Sequence, residues 1–315
     1  MQIVLLDAAT ICSDINLSLL QKEGELTTYQ TTKTKETIER IRNADIIITN
    51  KVIIGKNEMD NAPNLKLICV AATGTNNIDI EEAKKRNIVV ANVKGYSTEA
   101  VAQHTISLIL ALQNSLIEFA HESKSGNWSK SPIFTMLNHP FYELKGKKLG
   151  IIGYGIIGKR VAEIAKVFRM EILIGKRKGV TYNDIERVDF DTLVKESDII
   201  TVHTPLSEST RNLFGKEEFK QMKSSAVIIN NARGGIINEL ELYDALKNKK
   251  IRAAAIDVTE KEPIPDDHPL LSLDNIIITP HIAWTSVESR KKLLVEIIYN
   301  IQMFKEGKGN EIMVY

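Results

Sequence analysis

Cysteine is nearly missing from this chain. Cys12 and Cys69 stand alone among 315 residues, without the density of a disulfide scaffold or the spacing of a metal site, so a reducing, cytoplasmic setting is expected. An excess of either charge is missing too. The 41 basic residues face 40 acidic ones, which argues against a nucleic-acid partner held by bulk charge. No apolar run approaches the length of a bilayer span, and MQIVLLDAAT lacks the basic flank and cleavage site of a leader. A soluble protein with no membrane partner is therefore expected. Repeats of solenoid period and low-complexity tracts are also missing, and the length suits two domains.

What is present is a rhythm of short β-rich runs. QIVLLD, ADIIITN, LKLICVAATG and NIVVANV occupy the first hundred residues, with polar, helix-compatible segments between them. Near-continuous Val/Ile/Leu runs are the mark of buried parallel strands, so they predict a small α/β domain. A Ser97 or Thr98 start before a long apolar-periodic stretch predicts a connecting helix. Six further runs, KLGIIG, MEILIG, SDIITVH, SAVIINN, RAAAIDV and NIIITPH, suit a doubly wound sheet, and a last helix is expected from about Ser286 to Phe304. The charge runs Lys247 to Lys250 and Arg290 to Lys292 read as solvated helix faces.

The first of the six runs leads into Gly153-Tyr-Gly-Ile-Ile-Gly158, followed by a helical stretch and a second strand. That context makes it a dinucleotide turn. Gly153 permits the tight bend, Gly155 lets a pyrophosphate approach the backbone, and Gly158 packs helix on strand, with Ile156 and Ile157 opening the helix. An acid usually ends the second strand and binds the adenosine ribose. Here Gly175, Lys176 and Arg177 stand there, which favours NADP modestly over NAD because Arg grips a 2′-phosphate and Lys attracts it.

Three later segments carry candidate chemistry: INNARGGIINE with Arg233, AIDVTEKEPIPDDHPLL with Glu262, and IITPHIAW with His281. Each falls at or just after a strand end, where open α/β sheets bind ligands. Reduction of a 2-keto acid needs a cation for the carboxylate and carbonyl, a hydride donor, and an acid for the developing alkoxide. Arg233, a nicotinamide and His281 suit these roles, with Glu262 orienting His281 and favouring its protonated form.

At these residues the chain closely resembles the D-isomer-specific 2-hydroxyacid dehydrogenases, and most of all their glycerate dehydrogenase and hydroxypyruvate reductase branch. The likeness spans nearly the whole length. The family's catalytic Arg, Glu and His correspond to Arg233, Glu262 and His281, with Glu262 chosen over Glu260 because it precedes Pro263. By resemblance, AATGTNNID supplies backbone N–H groups at Thr73 and Gly74 for the substrate carboxylate, and Lys51 in TNK lies near the substrate. VHTPL, with His203, Thr204 and Pro205, resembles the segment lining the cofactor, and Ala232 and Asp257 join it, Asp257 at the nicotinamide end. NWSKSPIF and ELKGKKLGIIGYG point to the hydroxypyruvate branch. Lys176 departs from the acid typical of NAD-using members, and Met136 and Leu137 replace aromatics that in relatives reach a partner subunit's site.

The resemblance implies a Rossmann-type doubly wound parallel sheet, residues 100–285, inserted into a smaller flavodoxin-like α/β substrate domain of residues 1–99 completed by 286–315. It further implies NAD(P)H-dependent reduction of a small 2-keto acid, hydroxypyruvate or glyoxylate, to the D-2-hydroxy acid, and the reverse oxidation. A homodimer is expected, touching through the helix after Ser97 and the Trp128 loop. No metal is expected. The alternatives are a nicotinamide-reading redox sensor without turnover, or a phosphoglycerate, formate or phosphite dehydrogenase of the same superfamily. His104, His121, His139 and His268 read as structural or exposed.

Overall fold

The computed structural model describes residues 1–11, 14–176, 182 and 185–314. The chain divides into two compact units: Met1–Ser97 together with Thr285–Tyr315, and Thr98–Trp284.

The first unit is built on a parallel sheet of β1 (Gln2–Leu5), β2 (Glu25–Thr28), β3 (Ile46–Thr49), β4 (Leu67–Val70) and β5 (Val89–Ala91), in the order β2-β1-β3-β4-β5. Ile3 lies opposite Ile46, Ile46 opposite Leu67, and Leu67 opposite Val89. Central strands β3 and β4 are buried at every residue, which is why they read as unbroken apolar runs. Strand β2 differs. Its sequence ELTT is mostly exposed and, among the described residues, pairs with β1 alone, so it carries no apolar signature, and a fifth strand joins the four that the sequence predicts.

Ser286 caps the long helix Val287–Lys305 by accepting the N–H of Ser289. Within this helix Arg290 is not a solvated charge. It is buried, holds the Asp14 carboxylate through both terminal nitrogens and donates to the Ile11 carbonyl, a burial the fork of hydrogen bonds offsets. Lys291, Lys292 and Lys247 to Lys250 are exposed.

The second unit holds β6 (Lys148–Ile152), β7 (Glu171–Ile174), β8 (Ile199–Val202), β9 (Val227–Asn230), β10 (Ala253–Ile256) and β11 (Ile276–Ile278), all parallel, in the order β11-β10-β9-β8-β6-β7. Alternate residues serve opposite faces. Ile199, Val227, Ile229 and Ala255 join Ala102, Ile109, Val161 and Ala165 in one core. Ile200, Ile228 and Ile256 join Leu193, Phe214, Phe219 and Leu242 in the other. Each such Ile contributes about 1.5–3 kcal/mol by leaving water. Beyond β7, Val188 makes a single parallel bridge to Gly175, a rudimentary strand that completes the 3-2-1-4 order of a dinucleotide fold.

No single helix among the described residues is long and apolar enough to cross a membrane. The helices Thr98–Asn114 and Leu116–Lys124 pass that test only as a pair bent by 63°. The apolar side chains of the first are turned into the unit's core.

Candidate active site and dinucleotide cradle

Because every strand of the second unit runs the same way, the segments after β6, β8, β9, β10 and β11 emerge at one edge of the sheet. Those segments hold Gly153, His203, Arg233, Glu262 and His281.

The turn after β6 has Gly153 at φ +95°, and a side chain there would strike the His203 backbone at 2.6 Å. A Cβ on Gly158 would come within 2.2 Å of the Gly153 carbonyl oxygen, so strand and helix meet at a distance only glycine allows. Nothing lies within 4 Å of a Cβ built on Gly155, which is also the N-cap of the helix Ile156–Val167. An open, side-chain-free helix start is what an anion needs to reach backbone N–H groups. Ile156 is exposed at that start and Ile157 packs against the core.

His203 donates its backbone N–H to Ile152, and its ring Nε2 is shut off from solvent without a hydrogen-bond partner among the described residues. Burial pulls its pKa down to about 4, so the ring is neutral at neutral pH. Thr204 beside it is buried and Pro205 is exposed. An orphaned polar atom next to an open phosphate turn fits a dinucleotide.

At the end of β7 the Lys176 ammonium lies 3.4 Å from the Asp189 carboxylate. Asp189 immediately follows the Val188 bridge, and the Lys176 N–H donates to the Val188 carbonyl. Asp189, an exposed acid from the neighbouring segment, thus stands beside the strand end, a placement that local sequence does not reveal. Arg177 lies outside the described residues.

Across the sheet, Arg233 follows β9 in a turn whose start is set by Asn230: its Oδ1 accepts the Ala232 N–H and its Nδ2 donates to the Arg233 carbonyl. One Arg233 nitrogen donates to the Ala232 carbonyl at 2.7 Å, and no acidic side chain among the described residues pairs with the guanidinium. Gly234 presses against the segment after β10. A Cβ there would lie 2.0 Å from the Thr259 carbonyl oxygen, so the Arg233 turn abuts the backbone leading to Glu262.

His281 Nδ1 and Glu262 Oε2 are 2.7 Å apart, and the other Glu262 oxygen accepts the Thr259 N–H at 3.2 Å. A carboxylate in that position accepts, so Nδ1 carries the proton toward Glu262 and Nε2 is left to face a reactant. Glu260, two residues earlier, turns to Arg211 instead. His281 has φ +54°, a left-handed conformation that costs a side-chain-bearing residue on the order of 1–3 kcal/mol. Buried Asp257 holds this loop: its two oxygens accept the N–H groups of Ile282 and Ala283, both at 2.8 Å.

In the first unit, Thr73 donates its hydroxyl to the Val93 carbonyl, and its own carbonyl accepts from Asn92. The N–H groups of Thr73 and Gly74 make no hydrogen bond among the described residues. Lys51 follows β3, and its backbone is set by a residue that sequence reading passes over. Buried Asp7 accepts the N–H groups of Asn50 and Lys51, the latter at 2.7 Å. A carboxylate closing the apolar run QIVLLD was the available signal.

Comparison with known proteins adds the lineage. The model of the D-isomer specific 2-hydroxyacid dehydrogenase NAD binding domain matches residues 106–283. The chain is 38% identical over 291 residues to a glycerate dehydrogenase of Methylorubrum extorquens, covering 90% of both chains. It is 37% identical over 314 residues to a hydroxypyruvate reductase of Blautia hydrogenotrophica, covering 98% of both. Among solved structures, the TT0316 protein from Thermus thermophilus superposes with a TM-score of 0.86 at 30% identity over the full length of each. The chain belongs to the D-isomer-specific 2-hydroxyacid dehydrogenase family, in its glycerate dehydrogenase and hydroxypyruvate reductase branch.

Proposed function

We propose that the protein reduces a small 2-keto acid, hydroxypyruvate or glyoxylate, to the D-2-hydroxy acid, and runs the reverse oxidation. The observation that carries this reading is the 2.7 Å Glu262–His281 pair on the sheet edge that also bears Arg233 and the glycine cradle. The names of the related glycerate dehydrogenase and hydroxypyruvate reductase support the substrate class.

The Gly153–Gly158 turn, His203, Thr204, Pro205 and Ala232 would hold a nicotinamide dinucleotide, which when bound supplies the hydride. Arg233 binds the substrate's carboxylate and carbonyl oxygens and draws charge onto the latter. His281 Nε2 gives up its proton to the developing alkoxide, and Glu262 holds the ring in one orientation through Nδ1. Lys51 and the backbone N–H groups of Thr73 and Gly74 bind the carboxylate. In oxidation the proton returns to Nε2.

For cofactor preference, Lys176 attracts a 2′-phosphate while Asp189 repels it and engages the same ammonium, so we infer that both NADH and NADPH are used. We also propose a homodimer. Leu116, Ile117, Trp128, Ile133 and Phe141 are exposed in one stretch of the second unit, together with Phe134 at 91% and Leu137 at 83% exposure, and a second copy would cover them.

The test is oxidation of NADH and NADPH against a panel of hydroxypyruvate, glyoxylate, pyruvate and 3-phosphohydroxypyruvate. Turnover with hydroxypyruvate or glyoxylate at least tenfold above the others in kcat/KM is expected. Tight cofactor binding without turnover on any of them would replace this reading with a redox sensor.

A further inference from the structure

Asp257 stabilises the strained His281 loop, and the question is what fixes Asp257. Its Oδ1 accepts the Thr279 hydroxyl at 2.6 Å as well as the Ile282 N–H. Thr279 has a single hydroxyl proton, and that bond uses it. The Thr279 oxygen can then only accept from its other neighbour, His104 Nε2, at 3.1 Å. So His104 must carry its proton on Nε2. His104 sits on the helix Thr98–Asn114, on the face turned toward the sheet, with Asp257 Oδ1 3.6 Å away. Burial lowers its pKa more than the Asp257 charge raises it, which favours the neutral ring.

We propose that His104 and Thr279 are positioning residues for His281. The chain of donors runs one way, from His104 to Thr279 to Asp257, and there meets two backbone N–H groups of the loop that begins at His281. His104 and Thr279 each donate one proton and Asp257 only accepts, so the chain runs in a single direction. The His281 N–H itself is occupied by the Thr279 carbonyl at 3.0 Å, which ties the same threonine to both sides of the left-handed residue. Without the chain, Asp257 can rotate, the Ile282 and Ala283 N–H groups lose their partner, and His281 relaxes from φ +54° to a right-handed conformation that carries Nε2 away from the reactant.

This inference rests on His281 as the proton donor, so its test has an arm that needs no turnover. Amide hydrogen exchange at Ile282 and Ala283 is measured in the cofactor-free protein for wild type, Thr279→Val and Thr279→Ser. Valine keeps the shape and loses the hydroxyl; serine keeps the hydroxyl. Exchange at both amides should accelerate about tenfold or more in Thr279→Val and return near wild type in Thr279→Ser, as expected for loss of one hydrogen bond to a charged group. In steady state with hydroxypyruvate, kcat should fall about tenfold in the valine variant with KM within a factor of three, and serine should restore it. His104→Leu and His104→Gln repeat the comparison from the donor end, and they decide the matter if Thr279→Val does not fold. Unchanged exchange in both Thr279→Val and His104→Leu overturns the chain. Faster exchange with unchanged kcat overturns its role in positioning. A wild-type protein that turns over no 2-keto acid refutes the proposed reaction instead, and the exchange arm still decides the chain.

Discussion

Replacing His203 by glutamine should make the second unit markedly less sensitive to acid. In the folded chain the His203 Nε2 is shut off from solvent beside the phosphate turn, with no hydrogen-bond partner among the described residues and the pKa pulled down to about 4, against an ordinary value of 6.5. Below pH 6.5 the unfolded chain takes up a proton here and the folded chain does not until about pH 4, so stability falls as pH drops through that window. With those two values the linkage relation gives a loss of about 2 kcal/mol between pH 7 and pH 4.5 from this residue alone. Carboxylates such as Asp198 also lose their pairing in acid, but they do so equally in both proteins and cancel in the difference. Both tryptophans, Trp128 and Trp284, lie in this unit, so urea unfolding followed by their fluorescence reports on it directly. Wild type should lose about 2 kcal/mol more than His203→Gln between the two pH values. Equal losses, within about 0.5 kcal/mol, would refute a buried neutral imidazole at the cradle.

Two further outcomes are expected. Asp189→Asn should raise the NADPH to NADH ratio of kcat/KM by about three- to tenfold, because it removes the anion that repels a 2′-phosphate and engages Lys176; an unchanged ratio would make the pair a bystander. Light scattering on the purified protein should give twice the chain mass of 35.3 kDa, and Phe134→Glu with Leu137→Lys should shift it toward the monomer; a wild-type monomer would contradict the covered apolar stretch.

The central strands are legible in the sequence because burial on both faces selects Val, Ile and Leu at every position, as in Ile46–Thr49 and Val227–Asn230. Edge strand Glu25–Thr28 is not, since an exposed strand with one partner needs no apolar residues. Arg233, Glu262 and His281 stand out through motif spacing, and the structure brings Glu262 onto His281. What escapes is whatever depends on distant partners. Asp7 sets the backbone of Lys51 from 44 residues away, and His104 reaches Thr279 across 175. His104 carries no local pattern that announces its role, and Asp7 only the carboxylate that closes QIVLLD. The same holds for Arg290, whose neighbours Lys291 and Lys292 make it look like one of a solvated run until Asp14 is seen beneath it. Asp189 is hidden for a different reason. It comes to Lys176 through the Gly175–Val188 bridge, from a segment outside the strand–turn–helix–strand motif.

The most direct measurement is the single-turnover rate of NADH oxidation by saturating hydroxypyruvate in wild type and His281→Ala. A fall of roughly 10²–10⁴-fold is expected, with NADH affinity within a factor of two, because only the proton donor is lost. A variant rate within threefold of wild type, with hydride transfer shown to limit both, would contradict His281 as the acid and with it the Glu262–His281 pair as the reacting centre.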